Sequence, residues 1–188
     1  MAEPIARSPI APLAPVVVRD GWEVSDRHSS AALTLADCTA MSKLVVRGTG
    51  ALPVPFGRAE RDGGTLVVGS GPGEWTVLGD DSPPEPDGDF VSVIDVTHGR
   101  ALMRLTGARA ASLLAKLCAI DFSERVTPNG AAFRSSVAKL VTDVARDDRD
   151  GRPSYLVHCE RSSGQYLFDA LLDAGAEFGI EPTGSDLR

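Results

Sequence analysis

The chain is poor in the residues that carry most enzyme chemistry. Its three cysteines, Cys38, Cys118 and Cys159, are widely separated and form no C-x-x-C pair. That spacing argues against a disulfide framework and reads as reduced, buried, small apolar residues. No G-x-S-x-G elbow and no H-E-x-x-H pair occurs, which leaves hydrolase and zinc-protease readings without an anchor. Basic residues are outnumbered, 19 against 26 acidic ones, for a net charge of −7. A nucleic-acid partner is therefore not expected, because binding a phosphate backbone needs a basic stripe. No run approaches the roughly 20 apolar residues of a membrane helix, and the N-terminus lacks a charged head followed by an apolar core. The expectation is a cytoplasmic protein with no membrane partner.

What is present is enough for an ordinary folded body. Hydrophobic residues make up 43% and charged residues 24% of 188, close to the soluble average. Residues 1–18 hold Pro4, Pro9, Pro12 and Pro15, which remove backbone donors and keep the chain extended. This Pro-rich arm carries Ile5, Ile10, Leu13 and Val16–Val18, too apolar for a solvated tail, so it is expected to lie against a surface. The main domain then runs over 19–188. From 29 to 79 the short apolar runs ALTLA, KLVVRG, TLVVG and WTVLG read as strands separated by turns. The loop DDSPPEPDGD at 80–89 marks a possible lobe boundary. Beyond it, VSVIDVTHGRALMRLTG reads as a hairpin turning around His98 and Gly99. Ala110, Leu113, Leu114, Leu117 and Cys118 share one face of a helix of about three turns. SVAKLVTDVA and SYLVHC read as strands flanking the loop RDDRDGRP. A last helix, capped by Ser162 or Ser163, aligns Leu167, Ala170, Leu171, Ala174 and Phe178 and stops at Gly179. The order β-β-α-β-β-α predicts an α+β sandwich with helices packed on an antiparallel sheet.

Each group with chemical potential has a structural reading. Cys118 sits on a buried helix stripe, whereas a reactive thiolate needs an electropositive, partly open setting. His158 and Cys159 are adjacent on a strand, so they point to opposite faces and cannot share a metal. His28 and His98 stand alone. GSGPG at 69–73 resembles a dinucleotide loop, but a strand pattern follows it, so no helix N-terminus is offered to a pyrophosphate. Asp95 and Asp143 lie among apolar neighbours on strands. Such carboxylates are either hydrogen-bonded structural groups or groups with shifted pKa values.

Taken together, SKLVVRG, GPGEWTVLG, VSVIDVTHGRALMRLTGARAASLLAKLCAIDF, PNGAAF and SSGQYLFDALLDAGAEFG resemble the gamma subunit of heterotetrameric sarcosine oxidase over residues 42–179, and ARSPIAPL resembles that family's N-terminal arm. The family is similar in turn to the folate-binding fold of the glycine-cleavage T-protein. Here Asp95–Gly99, Leu105–Gly107 and Ala110–Leu114 follow that fold's order of a DVTHG strand, an LTG turn and an A-x-x-LL helix. The resemblance implies a T-protein-like α+β fold and a non-catalytic chain with no catalytic, cofactor-binding or metal residues of its own. It implies alpha, beta and delta partner subunits that carry FAD, FMN, NAD, tetrahydrofolate and zinc. It also implies a complex that demethylates sarcosine or a related N-methyl amine. That reaction yields hydrogen peroxide and a one-carbon unit, passed to tetrahydrofolate or released as formaldehyde. T-proteins carry an acid near the place of Asp143, where gamma chains often look apolar. The alternative reading is therefore a folate-binding one-carbon transfer protein, with Asp143 or Asp95 as the acid.

Overall fold

The computed structural model describes residues 4–79, 86–88 and 90–184. In chain order the strands are β1 (Ala6–Arg7), β2 (Val16–Arg19), β3 (Trp22–Ser25), β4 (Leu33–Asp37), β5 (Lys43–Arg47), β6 (Ala59–Asp62), β7 (Thr65–Gly71), β8 (Glu74–Leu78), β9 (Ser92–Asp95) and β10 (Arg100–Gly107). Helix α1 (Ala110–Leu117) leads to β11 (Ala132–Val137), β12 (Leu140–Arg146), β13 (Ser154–Glu160), helix α2 (Gly164–Gly175) and β14 (Glu181–Thr183). Six strands in the order β11-β12-β13-β10-β4-β14 form the main sheet, and β6-β7-β8-β5-β9 form a second. A third sheet, β1-β3-β2, is built from the N-terminal segment.

Alternation along the strands sorts side chains into layers. On β10, Ala101, Met103 and Leu105 face the helices with Leu113, Leu167 and Leu171. Leu102 faces the second sheet, with Leu66, Leu78 and Leu156. A third apolar group, including Val46, Leu52, Trp75 and Val77, lies within the second sheet and the loop after β5. The order is thus helices, six-stranded sheet, five-stranded sheet. The four strands read between 29 and 79 are β4, β5, β7 and β8. GSGPG ends β7 and turns into β8, as expected. Gly69 is required there, since a Cβ would meet the Pro55 carbonyl oxygen at 2.1 Å.

Several expectations need correction. No hairpin forms at His98 and Gly99: β9 pairs with β5 in the second sheet, while β10 pairs with β4 and β13 in the main one. The chain changes sheets at that turn. SVAKLVTDVA is not one strand, because it reverses at Ala138 and Lys139, both at positive φ (49° and 69°). The order after residue 90 is therefore β-β-α-β-β-β-α-β. Nor are the sheets wholly antiparallel, since β14 runs parallel to β4 and β1 parallel to β3. Helix α1 has eight residues, barely more than two turns, and neither Ser162 nor Ser163 caps α2 with its side chain. A 3₁₀ turn at Arg161–Ser163 leads into it instead. Gly179 does stop the last helical turn, at φ 67°.

The arm lies on the chain's own body. Ile10 is buried with the helix-side core, and the Ala11 N–H donates to Gln165 Oε1 at 2.7 Å. Strand β2 pairs with β3 along Val16–Arg19, so the sheet runs across the expected division at residue 18. The expected boundary at 80–89 falls largely outside the described residues.

The turn at Lys139 gives a direct test. An L-residue in the left-handed region costs about 1–2 kcal/mol, which glycine avoids while losing some chain entropy. Lys139→Gly is expected to stabilise the protein by about 0.5–1 kcal/mol, read as a rise in the urea midpoint at unchanged slope. A fall in the midpoint would show the backbone there to be unstrained.

Candidate functional site

Strand pairing places Asp143 of β12 opposite His158 of β13, on the face turned to the second sheet. Arg134, opposite Asp143 on β11, grips its carboxylate at 2.6 and 3.2 Å. Glu74 of β8 stands 3.9 Å from the same guanidinium. His158 Nδ1 lies 3.6 Å from Asp143 Oδ2, beyond a good hydrogen bond but close enough for strong Coulomb coupling. Burial pushes the Asp143 carboxyl up, but interactions with His158 and Arg134 outweigh it and hold the group below the usual carboxylate range. His158 moves down because burial disfavours its cation, only partly opposed by Asp143. The pair is thus an ionised carboxylate beside a neutral imidazole. His158 is 6% exposed, and its Nε2 has no partner among the described residues. Beside the pair, between the two sheets, is a cavity of about 20 Å³, bordered also by Ser70, Thr76 and Phe133. That is room for one water molecule.

The other sequence candidates are scattered. Asp95 is exposed, and its carboxylate accepts the Thr97 N–H at 2.8 Å; hydrogen bonds from Thr97 lower its pKa. His98 stacks on Trp22 with ring centroids 4.7 Å apart. Asp95 belongs to the second sheet and Asp143 to the main one. His158 and Cys159 point to opposite faces, as expected: Cys159 sits in the helix-side core. All three cysteines are buried and unpaired. Burial raises the Cys38 and Cys159 thiols to about 11, which keeps both protonated and unreactive near neutrality. Among the described residues no group of three or more His, Cys, Asp or Glu side chains is arranged to hold a metal ion. No helix among them is long and apolar enough to cross a membrane.

Of the buried charged groups that escaped the sequence reading, two organise the fold most. Asp147, at the end of β12, accepts from Arg61 (2.7 Å), Arg104 (2.8 Å) and Arg149 (3.1 Å). RDDRDGRP showed only a polar loop, because Arg61 and Arg104 come from distant strands. Lys43, on β5, is 0% exposed. Its ammonium donates to the carbonyls of Thr39 at 2.6 Å and Met41 at 2.7 Å, tying the β4–β5 loop to the strand. Burial lowers its pKa from 10.5 to about 8. Between those values the unfolded chain holds a proton that the folded chain has released, so this group makes stability rise with pH. Relative to Lys43→Met, the natural protein is expected to gain up to about 1.4 kcal/mol per pH unit from pH 8 towards 10.5. Taking the difference removes the opposing effect of the raised Cys38 and Cys159 thiols. Parallel stability curves for the two proteins would refute the assignment.

A larger cleft opens elsewhere, where β4 and β10 meet the loop after β3. It measures about 550 Å³ and is lined by Arg19, Asp26, Arg27, His28, Arg104 and Arg152 together with serine and threonine hydroxyls.

Two helices on one face of a six-stranded sheet, with a five-stranded sheet on the other, define a protein of the T-protein-like folate-binding fold. The chain belongs to the family of the GCVT N-terminal domain, whose model matches residues 69–188. It is 28% identical to an aminomethyltransferase of Geobacillus thermodenitrificans, an alignment covering 98% of this chain and 62% of the relative. It is 31% identical to an aminomethyltransferase of Saccharopolyspora erythraea over 50% of this chain and 25% of the relative. The chain thus spans less than two thirds of these curated relatives. Among solved structures, it is similar to a chain of the heterotetrameric sarcosine oxidase from Corynebacterium sp. U-96 in complex with pyrrole 2-carboxylate. That match has a TM-score of 0.69 at 23% identity and covers 83% of this chain and 90% of the other. It is also similar to the glycine cleavage system aminomethyltransferase T from Bartonella henselae, with a TM-score of 0.67 at 15% identity over 91% of this chain and 56% of the other.

Proposed function

We propose that this chain is a non-catalytic, gamma-type subunit of a sarcosine-oxidase-like heterotetramer, bracing a larger chain in the oxidative demethylation of sarcosine or a related N-methyl amine. The observation that carries this reading is the state of the Asp143 site. Its carboxylate is neutralised by Arg134, and the space beside it is about 20 Å³, whereas ligand pockets measure roughly 300–1,000 Å³. The residues at Asp143 therefore do not fit tetrahydrofolate, and no chemical step is assigned to them. In the proposed complex FAD, FMN, NAD, tetrahydrofolate and zinc reside on the alpha, beta and delta partners. The structural likeness to a chain of a heterotetrameric sarcosine oxidase supports the same reading.

A scaffold needs contact surface, and the chain has it. Phe56 (65%) and Val141 (74%) are exposed, as are Val93, Ile94 and Tyr166. Strand β9 is an edge of the second sheet, with a row of backbone groups open to pairing. Co-expression with its neighbouring flavoprotein chains is the test. The expected result is one complex containing this chain, whose assembly fails without it. An active flavoenzyme that forms equally well in its absence would refute the proposal.

The second reading, a folate-binding transfer protein of T-protein type, has one observation in its favour: Asp143 and the unpartnered His158 Nε2 border the same inter-sheet cavity. Calorimetry of the isolated chain with tetrahydrofolate separates the two, because the subunit reading predicts no binding heat at millimolar ligand.

A further inference from the structure

We propose that the arginine-lined cleft between β4, β10 and the loop after β3 is a binding site for a small organic or inorganic dianion. The cleft is separate from the Asp143 cavity. The latter is bordered by β11, β12 and β13 of the main sheet, while the cleft lies over β10 and β4 nearer the opposite edge.

Size comes first. At about 550 Å³ the cleft falls in the range of small-molecule sites.

Charge then sets the class of ligand. The chain as a whole carries −7, so an average patch of its surface repels anions. This cleft gathers four arginines, Arg19, Arg27, Arg104 and Arg152, and one carboxylate, Asp26. Two of those guanidinium groups are already matched, Arg19 by Asp26 at 3.0 Å and Arg104 by Asp147 at 2.8 Å. Arg27 and Arg152 face no carboxylate within ion-pair distance among the described residues, so within those residues the cleft carries an excess of two positive charges. Arg152 is held in place by donating to the Ala32 carbonyl oxygen at 3.0 Å, which uses only one of its five N–H groups. Its remaining N–H groups can donate to an oxyanion. Guanidinium forks bind carboxylate and phosphate oxygens in pairs, and such charge-assisted bonds are about twice as strong as neutral ones.

Neutral donors complete the lining. Ser30 and Thr34 bring hydroxyls to the cleft, and His28, exposed on its rim, brings an imidazole. Two positive charges on opposite contributors, Arg27 from the loop after β3 and Arg152 from the β12–β13 turn, match a ligand with two oxyanion groups better than one with a single charge. Carboxylates and phosphates share this chemistry.

The test is calorimetric titration of the full chain at low ionic strength with succinate, which has two carboxylates, and, separately, with inorganic pyrophosphate, which has two phosphoryl groups. Saturable binding of either probe, weakened roughly tenfold or more in Arg27→Ala/Arg152→Ala and weakened by added salt, supports the site. Which probe binds tells carboxylate from phosphate. Arg125→Ala, an exposed arginine outside the cleft, should bind as the natural protein does. Melting curves check that the double variant is folded, and Arg27→Gln offers a milder change if it is not. Absence of heat with both probes at millimolar concentration overturns the proposal, as does equal affinity in the cleft variant or an equal loss in Arg125→Ala. Because tetrahydrofolate and partner chains take no part in these titrations, the outcome is independent of the subunit reading.

Discussion

Asp147→Asn is expected to destabilise the protein by about 3–5 kcal/mol, the usual loss when one member of a buried ionic network is removed. The substitution keeps the volume but leaves Arg61, Arg104 and Arg149 converging on a neutral amide. Its Oδ2 now accepts from all three, and Oδ1 accepts from Arg61 Nε at 3.0 Å. An asparagine offers one acceptor oxygen and turns an N–H₂ group towards donors. The network joins three separate pieces, β6, β10 and the β12–β13 turn, so its loss loosens the contact between the two large sheets. The same group sets an acid limit. Burial raises the Asp147 pKa, but Arg61 and Arg104 outweigh that and bring it to about 2. Its contribution is therefore complete above the unfolded value of 3.8 and is lost as the pH falls from there towards 2. Urea unfolding across that interval should show a stability loss in the natural protein that is missing in the variant. A variant within about 1 kcal/mol of the natural protein would mean that the arginines are satisfied by solvent.

Gly107→Ala is expected to cost at least about 3 kcal/mol and to lower the yield of folded protein. Gly107 closes β10 at φ 143°, a region that side-chain-bearing residues rarely adopt. A Cβ there would meet the Ala32 carbonyl oxygen at 2.2 Å and Leu33 Cα at 2.9 Å. Those atoms belong to backbone at the start of β4, the neighbour of β10 in the sheet, so neither can swing aside. Gly21→Ala is the control. It also has positive φ (77°), yet nothing lies within 4 Å of the added atom, and its cost is expected near 1–2 kcal/mol. Equal losses for the two variants would remove the close approach as the cause.

This glycine also shows what was legible in the sequence. The LTG string was recognisable by resemblance, although it ends strand β10 rather than forming a turn, and the physical reason for its glycine, the Ala32 carbonyl occupying the place of a Cβ, lies 75 residues earlier in the chain. Strands with strong apolar runs, β4, β5, β7, β8 and β13, were readable because burial on both faces writes itself into composition. The two helices were readable from their stripes. The β11–β12 reversal was not, because Ala138 and Lys139 carry none of the Asn-Gly signal such turns usually show. The parting of β9 and β10 was hidden for another reason. Adjacent strands usually pair, and nothing local reveals that each finds a better partner far away. At the candidate site, Asp143 and His158 were visible as polar residues on apolar strands, while their pairing needed the register of β12 and β13. Asp147 and Lys43 were missed because a buried charge is recognised by its partners, and those partners sit on other strands.

Part of the early chain closes against residues about 150 positions later. β14 pairs with β4, Ser29 bonds Glu181, and the Arg7 carbonyl oxygen accepts from Arg161. Strands β1–β3 pair with one another within residues 6–25, but as the polypeptide emerges from the ribosome both edges of β4 stay open until β10 and then β14 have been made. Such late, long-distance closure slows folding and leaves apolar strand edges open in the meantime. During synthesis β4, buried on both faces in the finished fold, is therefore an unpaired apolar strand that a chaperone would cover.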